Sequence, residues 1–173
     1  MRDLSPIRGA RFDPRVTVRR ATPADAPAVH ALDLGLRRHL LASPIFLRLG
    51  PQRSPELERH VLADAASPPF LAESDGKAVA FLRIGPSATD VATIVRDPGT
   101  ASVTAAFTVP ELRGRGVATT LLATAHGWAV EAGYARIAVD HESANGEAER
   151  FWMRHFVPVA YGMTRRLAPR GAL

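Results

Sequence analysis

The sequence predicts a mixed α/β layer fold in a single domain, and three observations carry that reading. Short apolar or β-branched runs alternate with longer amphipathic stretches in the order β-α-α-β-β-β-α-β-α-β. Asp75-Gly76 separates two apolar runs, the sequence signature of a tight hairpin. Later, a β-rich run from Ser102 to Thr108 passes through Pro110 and two glycines into a third helix. The chain has 173 residues, 46% of them apolar, which is one domain with enough apolar surface for a packed core.

Residues 1–14 are polar and punctuated by Pro6, Gly9 and Pro14, so a flexible N-terminal arm is expected there and the domain itself over 15–173. Val16-Thr17-Val18 opens the first strand. Thr22-Pro23-Ala24-Asp25 then reads as a helix start, with Thr22 as N-cap, Pro23 in the first turn and Asp25 at the positive end. Val29, Leu32, Leu36 and Leu40 form its apolar face, and Ser43-Pro44 ends it. A second helix starts at Ser54-Pro55-Glu56, with Leu57, Val61 and Leu62 expected to face inward. Phe70–Glu73 and Ala78–Leu82 form the hairpin strands, and a further strand is expected over Val91–Val95. The helix from Gly116 carries Val117, Leu121, Leu122, Trp128, Ala129 and Ala132 on one side. Arg136–Val139 is a short strand, Asn145–His155 a helix, and Val157–Leu167 a closing strand or two.

Composition removes several functions. There is no cysteine, hence no disulfide, thiolate metal site or cysteine nucleophile. No metal site is expected from the scattered histidines. No apolar run reaches the ~20 residues of a membrane span and the N-terminus does not read as a signal peptide, so a cytoplasmic protein without membrane partners is expected. The net charge is +5, but Lys77 is the only lysine and the arginines are scattered. No nucleic-acid partner is expected from that distribution; the positive field suits a small anionic ligand.

The junction from Val109 to Thr119 is the most informative segment. Helix N-termini leave backbone N–H groups unpaired, and glycines let a ligand approach them, which makes an anion site suited to a diphosphate. No Lys-Ser/Thr follows the second glycine, which disfavours a nucleoside-triphosphate loop with its magnesium ligand. The spacing also differs from Gly-x-Gly-x-x-Gly, and no acidic residue stands where a ribose contact needs one. What remains is Arg113-Gly114-Arg115-Gly116-Val117-Ala118 opening a helix after a strand.

This turn resembles the acyl-CoA pyrophosphate loop of the GNAT N-acetyltransferase superfamily. Two further stretches are similar to that family: Val18–Asp25 to its first strand and helix cap, and Asn145–Trp152 to its later Asn-x-x-Ala-x-x-Phe-Tyr helix. The resemblance covers Val16 to Leu167 and implies a GNAT-type mixed, mostly antiparallel central sheet flanked by helices. It implies an N-acetyltransferase that moves an acetyl group from acetyl-CoA, as co-substrate, directly to a primary amine of a small-molecule or peptide acceptor. The backbone of Phe107, Thr108 and Val109 would pair with the pantetheine arm, one of its N–H groups facing the thioester oxygen. Arg113, Gly114, Arg115, Gly116, Val117, Ala118 and Thr119 would hold the diphosphate, with Asn145 and Trp152 along the arm. Monomer and homodimer are both compatible.

The chain departs from the family pattern at the chemistry. Trp152 stands where the usual acid is a tyrosine, Ser102–Val109 holds no carboxylate, and His155-Phe156-Val157 replaces a Gly-Phe turn. Expelling an unprotonated thiol of pKa near 8.5 costs only ~2 kcal/mol at pH 7, whereas deprotonating an alkylammonium costs ~4–5 kcal/mol. A base therefore matters more than an acid. Asp140, His141 and Glu142, after the Arg136–Val139 strand, are the candidates; a persisting strand would put Asp140 and Glu142 on one face. His39 is a further candidate base, and Tyr161 replaces the acid if the last strand brings it in. The alternative from another class is a non-catalytic acetyl-CoA-binding or regulatory module of the same fold.

Overall fold

The computed structural model describes residues 14–86 and 98–161. Nine elements follow in chain order: β1 (Val16–Arg20), α1 (Ala26–Leu41), α2 (Pro55–Ala63), β2 (Pro69–Ser74), β3 (Lys77–Pro86), β4 (Thr100–Thr108), α3 (Val117–Glu131), β5 (Arg136–Val139) and α4 (Gly146–His155). The five strands lie in one sheet in sequence order; β1 to β4 are antiparallel and β5 joins β4 in parallel. The expected mixed, mostly antiparallel sheet is therefore present. The arm expected at 1–14, apart from Pro14, the strand at Val91–Val95 and the stretch beyond Tyr161 lie outside the described residues. Residues 157–161 are not in a strand, so the closing strand does not begin at Val157.

The two faces of the sheet carry separate apolar clusters. On one, Phe70, Leu82, Ile84 and Val103 pack against Val117, Leu121, Leu122 and Ala125 of α3 and Trp152 of α4. On the other, Leu71 and Phe81 pack against Val29 and Leu32 of α1 and Leu62 of α2. Period-two alternation sends neighbouring residues of β2 and β3 into opposite clusters, which is why those strands read as continuous apolar runs.

Local signals behave as their chemistry dictates, with three corrections. Thr22 caps a short 3-10 turn, Pro23–Asp25, and α1 starts only at Ala26. Asp25 closes that turn by accepting hydrogen bonds from the Thr22 backbone N–H (2.7 Å) and hydroxyl (2.8 Å). It also takes a bidentate fork from Arg19, which reaches on to Glu73 of β2. Asp75 (φ 50°) and Gly76 (φ 71°) make the left-handed pair of a two-residue hairpin turn. In α2, Leu57 faces solvent and Glu58, with no exposed surface, points inward one turn before Leu62. Arg83 of β3 requires that carboxylate: its guanidinium is buried and bonded to Glu58. In α3 the inward residue missed by the sequence is Ala125, whereas Ala132 lies past the helix and is exposed.

Candidate functional site

The site grows from the place where β4 leaves β5. Only Thr100–Val103 pairs with β5, while β4 continues to Thr108 along β3. A register shift falls at the same point, Arg83 facing Ala105 and Ile84 facing Val103, so Thr104 is the extra residue of a bulge. Beyond it, among the described residues, one edge of β4 has no strand beside it.

Which backbone groups face that edge follows from the pairing. The Val109 N–H donates to the Val79 carbonyl at 2.9 Å, and Phe107 stands opposite Phe81. Antiparallel alternation therefore turns the polar groups of Ala105, Phe107 and Val109 toward β3, and those of Ala106 and Thr108 toward the open edge. The Thr108 carbonyl accepts from Arg113 Nε at 3.1 Å. The N–H and C=O of Ala106 and the N–H of Thr108 are left to receive an extended ligand. Sequence reading placed this role on Phe107, Thr108 and Val109; only Thr108 has the right phase, and Ala106 was missed. The hydrogen-bond alternation depends on the bulge at Thr104, which leaves no mark in composition.

The turn beyond β4 has the geometry of an anion cradle. After a 3-10 turn, Pro110–Leu112, Gly114 (φ 72°) and Gly116 (φ 90°) take left-handed conformations that a side chain would strain. Gly116 caps α3, and no side chain satisfies the helix start. The first intrahelical bond is Thr120 N–H to the Gly116 carbonyl, at 2.9 Å. The N–H groups of Val117, Ala118 and Thr119 consequently carry the helix's positive end without an intrahelical partner.

Cradle and open edge share one groove of about 660 Å³. Of the expected ligand-binding residues, Phe107, Thr108, Arg113, Gly114, Gly116 and Val117 line it, as do Ala118, Thr119, Asn145 and Trp152. Val109 and Arg115 do not; Val109 is spent on Val79 and Arg115 is exposed. Two arginines that sequence reading missed, Arg150 and Arg154 of α4, line the groove instead. Their signal was available, since they are four residues apart on the polar side of a strongly amphipathic helix. Arg113 is held by the Thr108 carbonyl and the Glu147 carboxylate, with its guanidinium 5.5 Å from the Phe107 ring centre. It braces the strand end against α4.

The candidate catalytic groups separate. β5 ends at Val139, so Asp140, His141 and Glu142 lie in a loop, and the shared face expected for Asp140 and Glu142 does not form. None of the three lines the groove, and Tyr161 is 78% exposed. His39, in the last turn of α1, does line it. Gly35, one turn earlier, lets α1 press on β4: a Cβ there would meet the Phe107 ring at 2.7 Å. Asn145 Oδ1 accepts from the Ala148 N–H at 3.2 Å as the cap of α4, and lies 3.4 Å from His39 Nε2. His155 also lines the groove; partial burial and, secondarily, Arg154 hold its pKa below the ordinary imidazole value. Trp152 is buried against Phe151 and Phe156. Among the described residues there is no cluster of three or more His, Asp or Glu that could hold a metal ion, and no helix long and apolar enough to cross a membrane.

The splayed strand edge and the glycine-started helix thus meet in one groove. The family model of the GNAT acetyltransferases matches residues 37–156, and the chain belongs to that family. Solved structures share the fold at low identity. A ribosomal-protein-alanine N-acetyltransferase from Brucella melitensis superposes with TM-score 0.64 at 15% identity, over 88% of this chain and 99% of that one. An aminoglycoside N-acetyltransferase in complex with CoA gives 0.67 at 18% identity, over 88% and 99%. An aminoglycoside 6'-N-acetyltransferase from Acinetobacter baumannii gives 0.66 at 19%, over 88% and 98%. No curated protein matches the sequence.

Proposed function

We propose that the protein transfers the acetyl group of acetyl-CoA to a primary amine. The observation that carries this is the union, in one groove, of a strand edge at Ala106 and Thr108 that is unpaired among the described residues with a helix N-terminus at Val117–Thr119 that no side chain caps. A diphosphate fits the second and an amide-bearing arm the first. Arg150 and Arg154 add positive charge for the phosphates, a part we assign to them in place of Arg115. That a structural relative was solved with CoA supports the ligand class.

Each residue has a defined task in the reaction. The N–H at the open edge, at Ala106 or Thr108, stabilises negative charge developing on the acetyl oxygen. The amine nitrogen bonds to the acetyl carbon, the carbon–sulfur bond breaks, and its electron pair leaves with sulfur. From the ammonium form nitrogen loses two protons to a base, one before attack and one as the amide forms, while the departing thiolate takes up one from solvent at small cost. We assign the base to His39. Asn145 Oδ1 already accepts a backbone N–H, so its contact with Nε2 selects the tautomer protonated there and leaves the Nδ1 lone pair for the amine proton. Asn145 is thus a positioning residue for His39. Asp140, His141, Glu142 and Tyr161 are outside the groove and take no part in this account.

The test is time-dependent CoA release from acetyl-CoA over an amine panel, against a blank without amine. Release that requires amine is expected, and His39→Gln should lower kcat by about 10²–10⁴ while acetyl-CoA still binds. Tight acetyl-CoA binding without release for any amine would favour the non-catalytic module.

A further inference from the structure

A second cavity, of about 270 Å³, lies on the α1 side of the sheet and meets the groove at Leu36, which lines both. Thr104 and Ala105 form its floor. They immediately precede Ala106, the first residue of the open edge, and each strand residue advances only ~3.3 Å. An amine in this cavity therefore lies beside the acetyl group that the proposed function places at that edge.

The charges around the cavity are divided between two ends. At one end Asp33 (3.5 Å) and the buried Glu58 both engage the single guanidinium of Arg83. Two carboxylates against one guanidinium leave a surplus negative charge. Asp33 is the carboxylate that lines the cavity, with Glu58 buried behind it. Arg83 stands opposite Ala105, so this end abuts β4. At the other end are Arg37 and Arg53. Arg37 donates to the Gly50 carbonyl at 2.6 Å, and neither arginine has a carboxylate partner among the described residues. Asp33 and Arg37 are one helical turn apart on α1, about 6 Å along the axis at 1.5 Å per residue. Leu36, Leu40, Leu49 and Pro51 supply apolar wall to the same cavity.

From this division we infer that the acceptor is a small amine that also bears a carboxylate, of free amino-acid type. Its ammonium lies at the Asp33 end against β4, its carboxylate on Arg37 and Arg53, and its side chain on the leucines. The inference rests on acetyl transfer at the adjoining groove and adds the charge of the acceptor. A polycation is disfavoured, because two unneutralised guanidiniums would repel its further charges.

Leucine, leucinamide and 4-methylpentanoate separate the elements of recognition. With acetyl-CoA present, leucine should exceed leucinamide in kcat/KM by about ten- to hundredfold, the range for a lost hydrogen bond to a charged group. 4-Methylpentanoate should inhibit competitively with leucine. Arg37→Gln and Arg53→Gln, shown folded by circular dichroism, should each shrink the leucine-to-leucinamide ratio through KM rather than kcat. Transfer to leucinamide as fast as to leucine, or a ratio that both variants leave intact, would overturn the inference while acetyl transfer stood. Ligand-observed NMR on the CoA-loaded protein gives a readout without turnover. Selective binding of leucine without CoA release would sustain the acceptor class and sink the transfer reading; failure of leucine to bind or react would sink the acceptor class.

Discussion

Replacing Glu58 by alanine should be among the most damaging single changes in the α2–β3 layer. The wild-type carboxylate is fully buried and bonded to Arg83, itself 5% exposed, whose Nε has no partner. Without Glu58 the guanidinium keeps Asp33 at 3.5 Å and little else. Breaking a buried pair by deleting one partner costs about 3–5 kcal/mol, here because Arg83 loses its nearest acceptor and Asp33, at 3.5 Å, is a poorer partner. For a chain of this size 1 kcal/mol moves Tm by roughly 2–4 °C, so Glu58→Ala should lower Tm by roughly 6–20 °C. Glu58→Leu combined with Arg83→Leu removes both charges and should recover most of the loss, since buried pairs contribute little net stability against apolar replacements. The assay is thermal and urea denaturation of the two variants beside wild type. A loss below about 1 kcal/mol for Glu58→Ala, or a double variant as unstable as the single one, would refute the argument.

Two further outcomes follow from the packing. Trp152 is a wall of the core and groove rather than an acid, so Trp152→Phe should lose roughly 1–3 kcal/mol of stability yet keep turnover per folded molecule within about tenfold, read by denaturation and active-site-normalised rates. Arg19, through its hydrogen bonds, holds the Asp25 carboxyl well below the usual carboxylate range; stability from that contact is present above the unfolded value near 3.9 and is lost as pH falls toward the folded one, so Arg19→Gln should flatten the decline of Tm below about pH 4.

What the sequence made legible was local chemistry. Thr22-Pro23, Ser54-Pro55, Asp75-Gly76 and Asn145 each mark a cap or turn whose hydrogen bonds involve neighbours within a few residues. The glycine cradle belongs with these, because Gly114 and Gly116 adopt positive φ at positions only a few residues from the strand end. What stayed hidden depends on pairing between distant segments. The phase of β4, which exposes Ala106 rather than Phe107, is set by a bulge against β3. The inward turn of Glu58 answers Arg83, twenty-five residues away. The assignment of a base to Asp140–Glu142 presumed a strand that stops at Val139, whereas His39 reaches the groove because Gly35 lets α1 approach Phe107.

The central claim is that the start of α3 binds the diphosphate of acetyl-CoA, and titration calorimetry on wild type and Ala118→Glu tests it most directly. Ala118 lines the groove in the first turn of α3, where the helix end favours a negative side chain by about 0.3–1 kcal/mol. The variant should therefore fold at least as stably as wild type while carrying its own anion where the diphosphate would sit. Wild type should bind acetyl-CoA with or without a metal chelator, and Ala118→Glu should bind at least about tenfold more weakly, which is 1.4 kcal/mol. Undiminished affinity in a folded Ala118→Glu variant, or wild-type binding that the chelator abolishes, would contradict the account.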